Sequence, residues 1–225
     1  MYIILKDLII KQTIYILSAK VALLLLVSCG GTTNPKTTND NSEIESSKNI
    51  NKPTLMTDIE TQKEGYFELI KLCLGDTRKK EVSNFIDTLH DYNGDQNYYT
   101  TLNYVKEYLD NNGIHFIMVL DWKQEITDLV WRINSSLRDN FNTKIELPNP
   151  EVYGKNASVS AKNVFKDFDK SIQKENFKLG FIDTNSDEYV IIVHRLSDEN
   201  EVKEATKKIG YPYLDVNSYK INNED

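Results

Sequence analysis

Apolar residues recur at helical spacing in the middle of the chain and close up into short, nearly unbroken runs further on. Tyr66, Leu69, Ile70 and Cys73 stand at i, i+3, i+4 and i+7 and predict a helix from Thr57 to about Leu74. Thr57-Asp58-Ile59-Glu60 reads as its capping box and Gly75 as its stop. A second helix over 77–89 carries Val82, Phe85, Ile86 and Leu89. A third ends at Asn111 and carries Leu102, Val105 and Leu109. Ile114–Leu120 (IHFIMVL) has the continuous apolar character of a strand covered on both faces. Asp121 is placed to cap the next helix, with Trp122, Ile126, Leu129, Ile133 and Leu137 along one stripe. A short strand is predicted over Lys144–Leu147, before the irregular Pro148-Asn149-Pro150. Ser160 is expected to cap a helix bearing Val164, Phe165, Phe168 and Ile172. Phe177–Ile182 and Tyr189–His194 form the arms of a predicted hairpin around Asp183–Asp187. Ser197 opens a last helix, acidic at its start and basic at Lys207 and Lys208, and Gly210 closes it. Tyr211–Val216, with Pro212, reads as an edge strand.

These elements define an α/β fold bordering on α+β. A helical N-terminal part precedes β-α-β-α-β-β-α-β, and a mixed sheet is expected because helix crossovers favour parallel neighbours while hairpins are antiparallel. The single globular α/β domain spans 57–218, with a polar tail over 219–225. Its roughly 160 residues bury about two-thirds of their unfolded surface, enough for one core.

The N-terminus follows different rules. Lys6, Lys11 and Lys20 face a single acid, Asp7, before the run Val21–Val27. This is the layout of a secretory signal peptide, and the run is shorter than the roughly 20 residues a bilayer span needs. Leu26-Val27-Ser28-Cys29 resembles the lipobox of bacterial lipoproteins. The resemblance implies cleavage before Cys29, a diacylglycerol thioether on its sulfur and acylation of the new amino group, palmitate included. Several acyl chains together exceed the two-signal threshold for stable anchoring. The organisation that follows is a signal peptide over 1–28 and the lipidated cysteine and tether over 29–56. The expected location is the cell envelope, anchored to membrane. Gly30 after the cysteine, by the same resemblance, favours the outer membrane in a Gram-negative host. The 27 residues of Gly30–Met56 are rich in Thr, Asn, Ser and Lys. As a flexible chain they reach about 30 Å.

Composition then narrows the partners. The 225 residues carry a net charge of −7, and removal of residues 1–28 leaves 24 basic and 33 acidic residues, a charge of −9. An acidic chain lacks the basic face that nucleic acid requires, and two cysteines cannot build a disulfide scaffold. With Cys29 lipidated, Cys73 reads as a small buried hydrophobe.

FIMVLDWKQEITDLVWRINSSLRDNF (116–141), IELPNPEVYG (145–154) and FKLGFIDTNSDEYVIIVH (177–194) resemble a bacterial domain family known only as one of unknown function. The resemblance covers roughly 85–216. It implies one coherent domain and brings no functional residues with it.

No G-x-S-x-G, P-loop, H-E-x-x-H, C-x-x-C or G-x-G-x-x-G occurs, and three histidines are too few for a histidine-rich metal site. The hairpin loop Asp183-Thr184-Asn185-Ser186-Asp187 offers the spaced oxygens that calcium or magnesium takes, so Asp183, Asn185 and Asp187 are candidate metal ligands. The same residues are also those that turns prefer, and the EF-hand glycine is replaced by Glu188. Asp121 is a strand-end carboxylate or a helix cap, and His194 a general base or a hydrogen-bonded strand-end residue. His115 reads as a semi-buried strand residue. Tyr92, Tyr98, Tyr99, Tyr104 and Tyr108 either present a contact surface or cover the seam of the helical part. Two functions follow. One is a membrane-anchored, non-enzymatic binding module for a protein or small molecule, with no cofactor. The other is a metal-assisted hydrolase built on Asp121, Asp183 and Asp187.

Overall fold

The computed structural model describes residues 57–219. Three helices come first: α1 (Ile59–Cys73), α2 (Asp76–Asp87) and α3 (Thr101–Asn111). Strand β1 (Ile117–Asp121), helix α4 (Ile126–Phe141) and helix α5 (Val164–Gln173) follow. The hairpin β2 (Phe177–Ile182) and β3 (Glu188–Arg195), helix α6 (Glu199–Lys208) and strand β4 (Tyr213–Asp215) complete the order.

The strands lie in the order β1-β3-β2-β4, and every neighbouring pair is antiparallel. The fold is therefore α+β, and the mixed sheet expected from the crossovers does not form. The reason is topological. β1 and β2 are both antiparallel to β3, so they run the same way, as a helical crossover demands. The hairpin strand β3 inserts between them and removes the parallel contact. β2 separates β3 from β4 in the same manner.

Several local expectations change. Lys144–Leu147 forms no strand and joins no ladder. Asp58 rather than Thr57 caps α1, its carboxylate accepting from the Thr61 N–H at 3.0 Å. A charged oxygen is the stronger acceptor of the two. Asp121 does not cap α4, which starts at Ile126 with Glu125 before it. Trp122 consequently leaves the inward stripe and is exposed. Asn163 precedes α5 in place of Ser160, and Ser197 falls in a 3₁₀ turn ahead of α6.

Strand alternation sorts the core into two layers. On one face Ile117, Ile182, Val190 and Ile192 pack against α1, α2, α3 and α6. On the other, Met118, Leu120, Phe177, Leu179, Phe181, Tyr189, Ile191 and Val193 pack against α4 and α5. α1 and α6 approach closely at Gly65, where a Cβ would stand 2.7 Å from the Ala205 carbonyl oxygen. No helix among the described residues is long and apolar enough to cross a membrane.

Candidate functional site

The free edge of β1 organises the site. The Leu179 N–H donates to Asp169 Oδ1 at 2.8 Å, so it is turned away from β3. Antiparallel alternation then makes Gly180 and Ile192 a hydrogen-bonded pair and leaves Ile192 open toward Ile117. The peptide groups of Ile117, Val119 and Asp121 therefore face outward from the sheet. Asp121 satisfies its own: its N–H donates to Gln124 Oε1 and its carbonyl accepts from the Gln124 N–H, both at 2.9 Å. The groups of Val119 have no protein partner among the described residues.

Val119 opens into a cleft of about 920 Å³ between α3, the end of β1 and the hairpin loop. Thr100, Asn103, Lys106 and Glu107 come from the N-terminal turns of α3, whose N-cap is the Thr100 hydroxyl. Ser186 and Asp187 come from the hairpin loop and Glu188 from the start of β3, and Arg132 reaches in from α4. Asp121 and Glu188 are register partners across the β1–β3 ladder.

Charges in the cleft are unevenly matched. Two basic side chains, Lys106 and Arg132, meet five acidic ones, Glu107, Asp110, Asp121, Asp187 and Glu188. Lys106, nearly buried, is ion-paired to Glu188. Arg132 contacts the exposed Asp110 at 3.4 Å, while its buried Nε has no partner among the described residues. That leaves Glu107, Asp121 and Asp187, none of which has a basic group within salt-bridge distance among the described residues. At the closed end, Arg132 and Asp110 cross over the edge beside Ile117 and Trp131. Tyr211 forms part of the wall, and burial raises its phenol above the ordinary range.

The candidates from the sequence separate here. Asp121 and Asp187 both line the cleft, whereas Asp183 and Asn185 do not. Asp183 Oδ1 accepts from the Asn185 N–H at 2.9 Å, and the Thr184 and Ser186 hydroxyls are 2.7 Å apart, so the loop binds itself as a turn. Asp121 Oδ1 likewise accepts from the Lys123 N–H at 2.8 Å. Among the described residues, no three His, Cys, Asp or Glu side chains converge as metal ligands.

His194 lies elsewhere, fully buried beneath α6. Its Nδ1–H donates to the Arg195 carbonyl and its Nε2 accepts from the Tyr213 hydroxyl, each at 2.8 Å. Burial lowers its pKa and holds it neutral, with both nitrogens occupied. It is a packed, satisfied residue with no route to the cleft. His115 contacts Asp139 at 3.2 Å, just before β1. Cys73 is buried in the first core layer, and burial pushes its thiol far up. The tyrosines cover a seam: Tyr108 stacks on Phe85 at 3.6 Å and Tyr92 on Tyr104 at 4.2 Å, and Tyr99 is the most exposed of them. Cys29 lies outside the described residues.

Sequence reasoning missed Lys106, Glu107, Arg132 and Glu188. Each occupies a polar position that helical or strand periodicity assigns to solvent, and no spacing rule joins α3 to a hairpin 80 residues away.

An antiparallel sheet with a polar cleft at its open edge and helices on both faces is an α+β architecture. The chain belongs to the family described as domain of unknown function DUF6630, whose model matches residues 54–217. The match takes in α1 and α2 as well as the 85–216 stretch recognised from its segments. Searches of curated proteins and of solved structures find no match to the chain.

Proposed function

We propose that this protein is an envelope lipoprotein whose folded domain is a non-enzymatic binding module, held to the membrane through Cys29 and taking a polar ligand in the cleft beside β1. The observation that carries the binding reading is the cleft itself. It joins an open strand edge to the carboxylates of Glu107, Asp121 and Asp187, which have no ion-pair partner among the described residues. Its lining holds no histidine or cysteine, which favours recognition over acyl transfer by an imidazole- or thiol-based nucleophile. The anchor reading rests on Leu26-Val27-Ser28-Cys29 and the polar tether after it.

Hydrogen exchange tests the cleft. The full chain is measured in membranes of its host and again after purification in detergent. Slower exchange over 119–124 and 184–188 in the membrane sample is expected, and identical exchange in the two samples refutes the binding reading. Cys29→Ser tests the anchor separately. The variant is expected to leave the detergent phase on partitioning, and undiminished partitioning refutes lipidation at Cys29.

A further inference from the structure

We infer that the cleft receives an extended, basic peptide segment, which adds to the free edge of β1 as a fifth strand. This rests on the binding reading above and names the ligand class. Three features of the same place lead to it.

The first is the open backbone. Val119 turns its N–H and C=O outward into the cleft, and an extended chain is the ligand that pairs both groups at once. The second is the way the edge is guarded. Proteins blunt exposed strand edges with charged side chains. Here the Arg132–Asp110 pair stands between a gap of about 30 Å³ beside Ile117 and the larger cleft, and Val119 lines both. The Val119 end is left open beneath a cleft of about 920 Å³. A strand entering from the hairpin side thus meets a stop at Arg132.

The third is charge. Lys106 and Arg132 are engaged by Glu188 and Asp110, while Glu107 on α3, Asp121 at the end of β1 and Asp187 in the hairpin are not paired among the described residues. Alternate side chains of an added strand point toward α3 and toward α4. Lysines or arginines on such a strand bring positive charge to these carboxylates, whereas an acidic peptide is repelled.

The test uses the full chain in detergent micelles and fluorescence anisotropy. The probe is a fluorescein-labelled heptapeptide alternating lysine and threonine. Its controls are a twin with glutamate for lysine and twins N-methylated at alternate residues. Saturable binding of the lysine peptide is expected, with none for the glutamate twin. One of the two N-methylated twins is expected to lose on the order of tenfold in affinity, because the methyl removes the N–H that donates to the Val119 carbonyl and crowds the edge. Val119→Pro removes an outward N–H that the sheet's own ladder does not use, so its melting temperature stays close to that of the wild type while binding falls by a similar factor. Asp121→Asn combined with Asp187→Asn weakens binding severalfold at low salt and less at high salt.

Equal binding by both N-methylated twins overturns strand addition, whatever Val119→Pro does to folding. Absence of binding by the lysine peptide overturns the ligand class. If exchange in host membranes is nevertheless slowed over the cleft, the binding reading survives with a different ligand. If exchange is unchanged as well, both fall.

Discussion

The two faces of the sheet are built from the same strands and alternate residue by residue, yet they solve different problems. Toward α4 and α5, every second strand position is apolar: Met118, Leu120, Phe177, Leu179, Phe181, Tyr189, Ile191 and Val193. That face closes into a dry layer in which Phe165 meets Phe181 and Tyr189 edge-on at 5.0 and 4.8 Å. Toward α1, α2, α3 and α6, the central positions are apolar but the margins are polar. At one margin Lys178 pairs with Glu199 at 2.8 Å and His194 with Tyr213. At the other, Lys106 pairs with Glu188 above the edge strand. Polarity at the β2–β4 margin is covered by α6 and fully paired. Polarity at the β1 margin is left partly unpaired, in contact with water. A polar margin becomes a binding surface only where no helix seals it.

The contrast can be attacked on the dry face first. Phe165→Ala leaves a cavity among close-packed rings and is expected to cost about 3–5 kcal/mol, read from denaturant unfolding. A loss below about 1 kcal/mol would mean that this layer is not the tightly packed one.

Gly180 probes the sealed polar margin. A Cβ there would stand 2.2 Å from the Tyr213 ring. Gly180→Ala is expected to cost about 1–3 kcal/mol through overpacking. In combination with Tyr213→Ala the losses should be less than additive, because the second change removes the atoms the first one strikes. Strict additivity in the double-mutant cycle would contradict the contact.

The same margin carries a pH signature. Burial depresses the His194 pKa, so the native state keeps the ring neutral while the unfolded chain protonates it near 6.5. The stability it contributes is therefore present above about 6.5 and lost as pH falls through its lower folded value. Thermal melts between pH 7.5 and 5 should show this decline, and His194→Gln should flatten it. Glu199, Asp139 and Asp215, which hydrogen bonds and charges lower against the opposing effect of burial, act at more acidic pH. An unchanged slope in the variant would assign the decline to another group.

The smallest effect on stability belongs to the open margin. Glu107→Gln has no ion pair to break and should change unfolding free energy by no more than about 0.5 kcal/mol. Its effect is expected in ligand affinity alone, so a substantial drop in melting temperature would make Glu107 a structural residue.

Periodicity located the six helices and the hairpin of the described residues because burial repeats every 3.6 or every two residues along the chain itself. It failed at Lys144–Leu147, where alternation is present but no neighbouring strand supplies a ladder. It also misjudged starts. Thr57, Asp121, Ser160 and Ser197 are all chemically able to cap, and neighbouring residues decide which of several acceptors meets the first N–H groups.

Of the candidate site, Asp121 and Asp187 were visible as strand-end and loop carboxylates, whereas His194 was drawn into the core. The amino-acid sequence by itself determined the acidic balance, the helices and the two-sided burial of the strands, since these are properties of composition and of neighbours along the chain. Only the tertiary structure decided that β3 inserts between β1 and β2, and with it which peptide groups face outward and which carboxylates share a cleft. Strand order is set by how helices and strands pack together, so the open edge of β1 exists only once the whole sheet has formed.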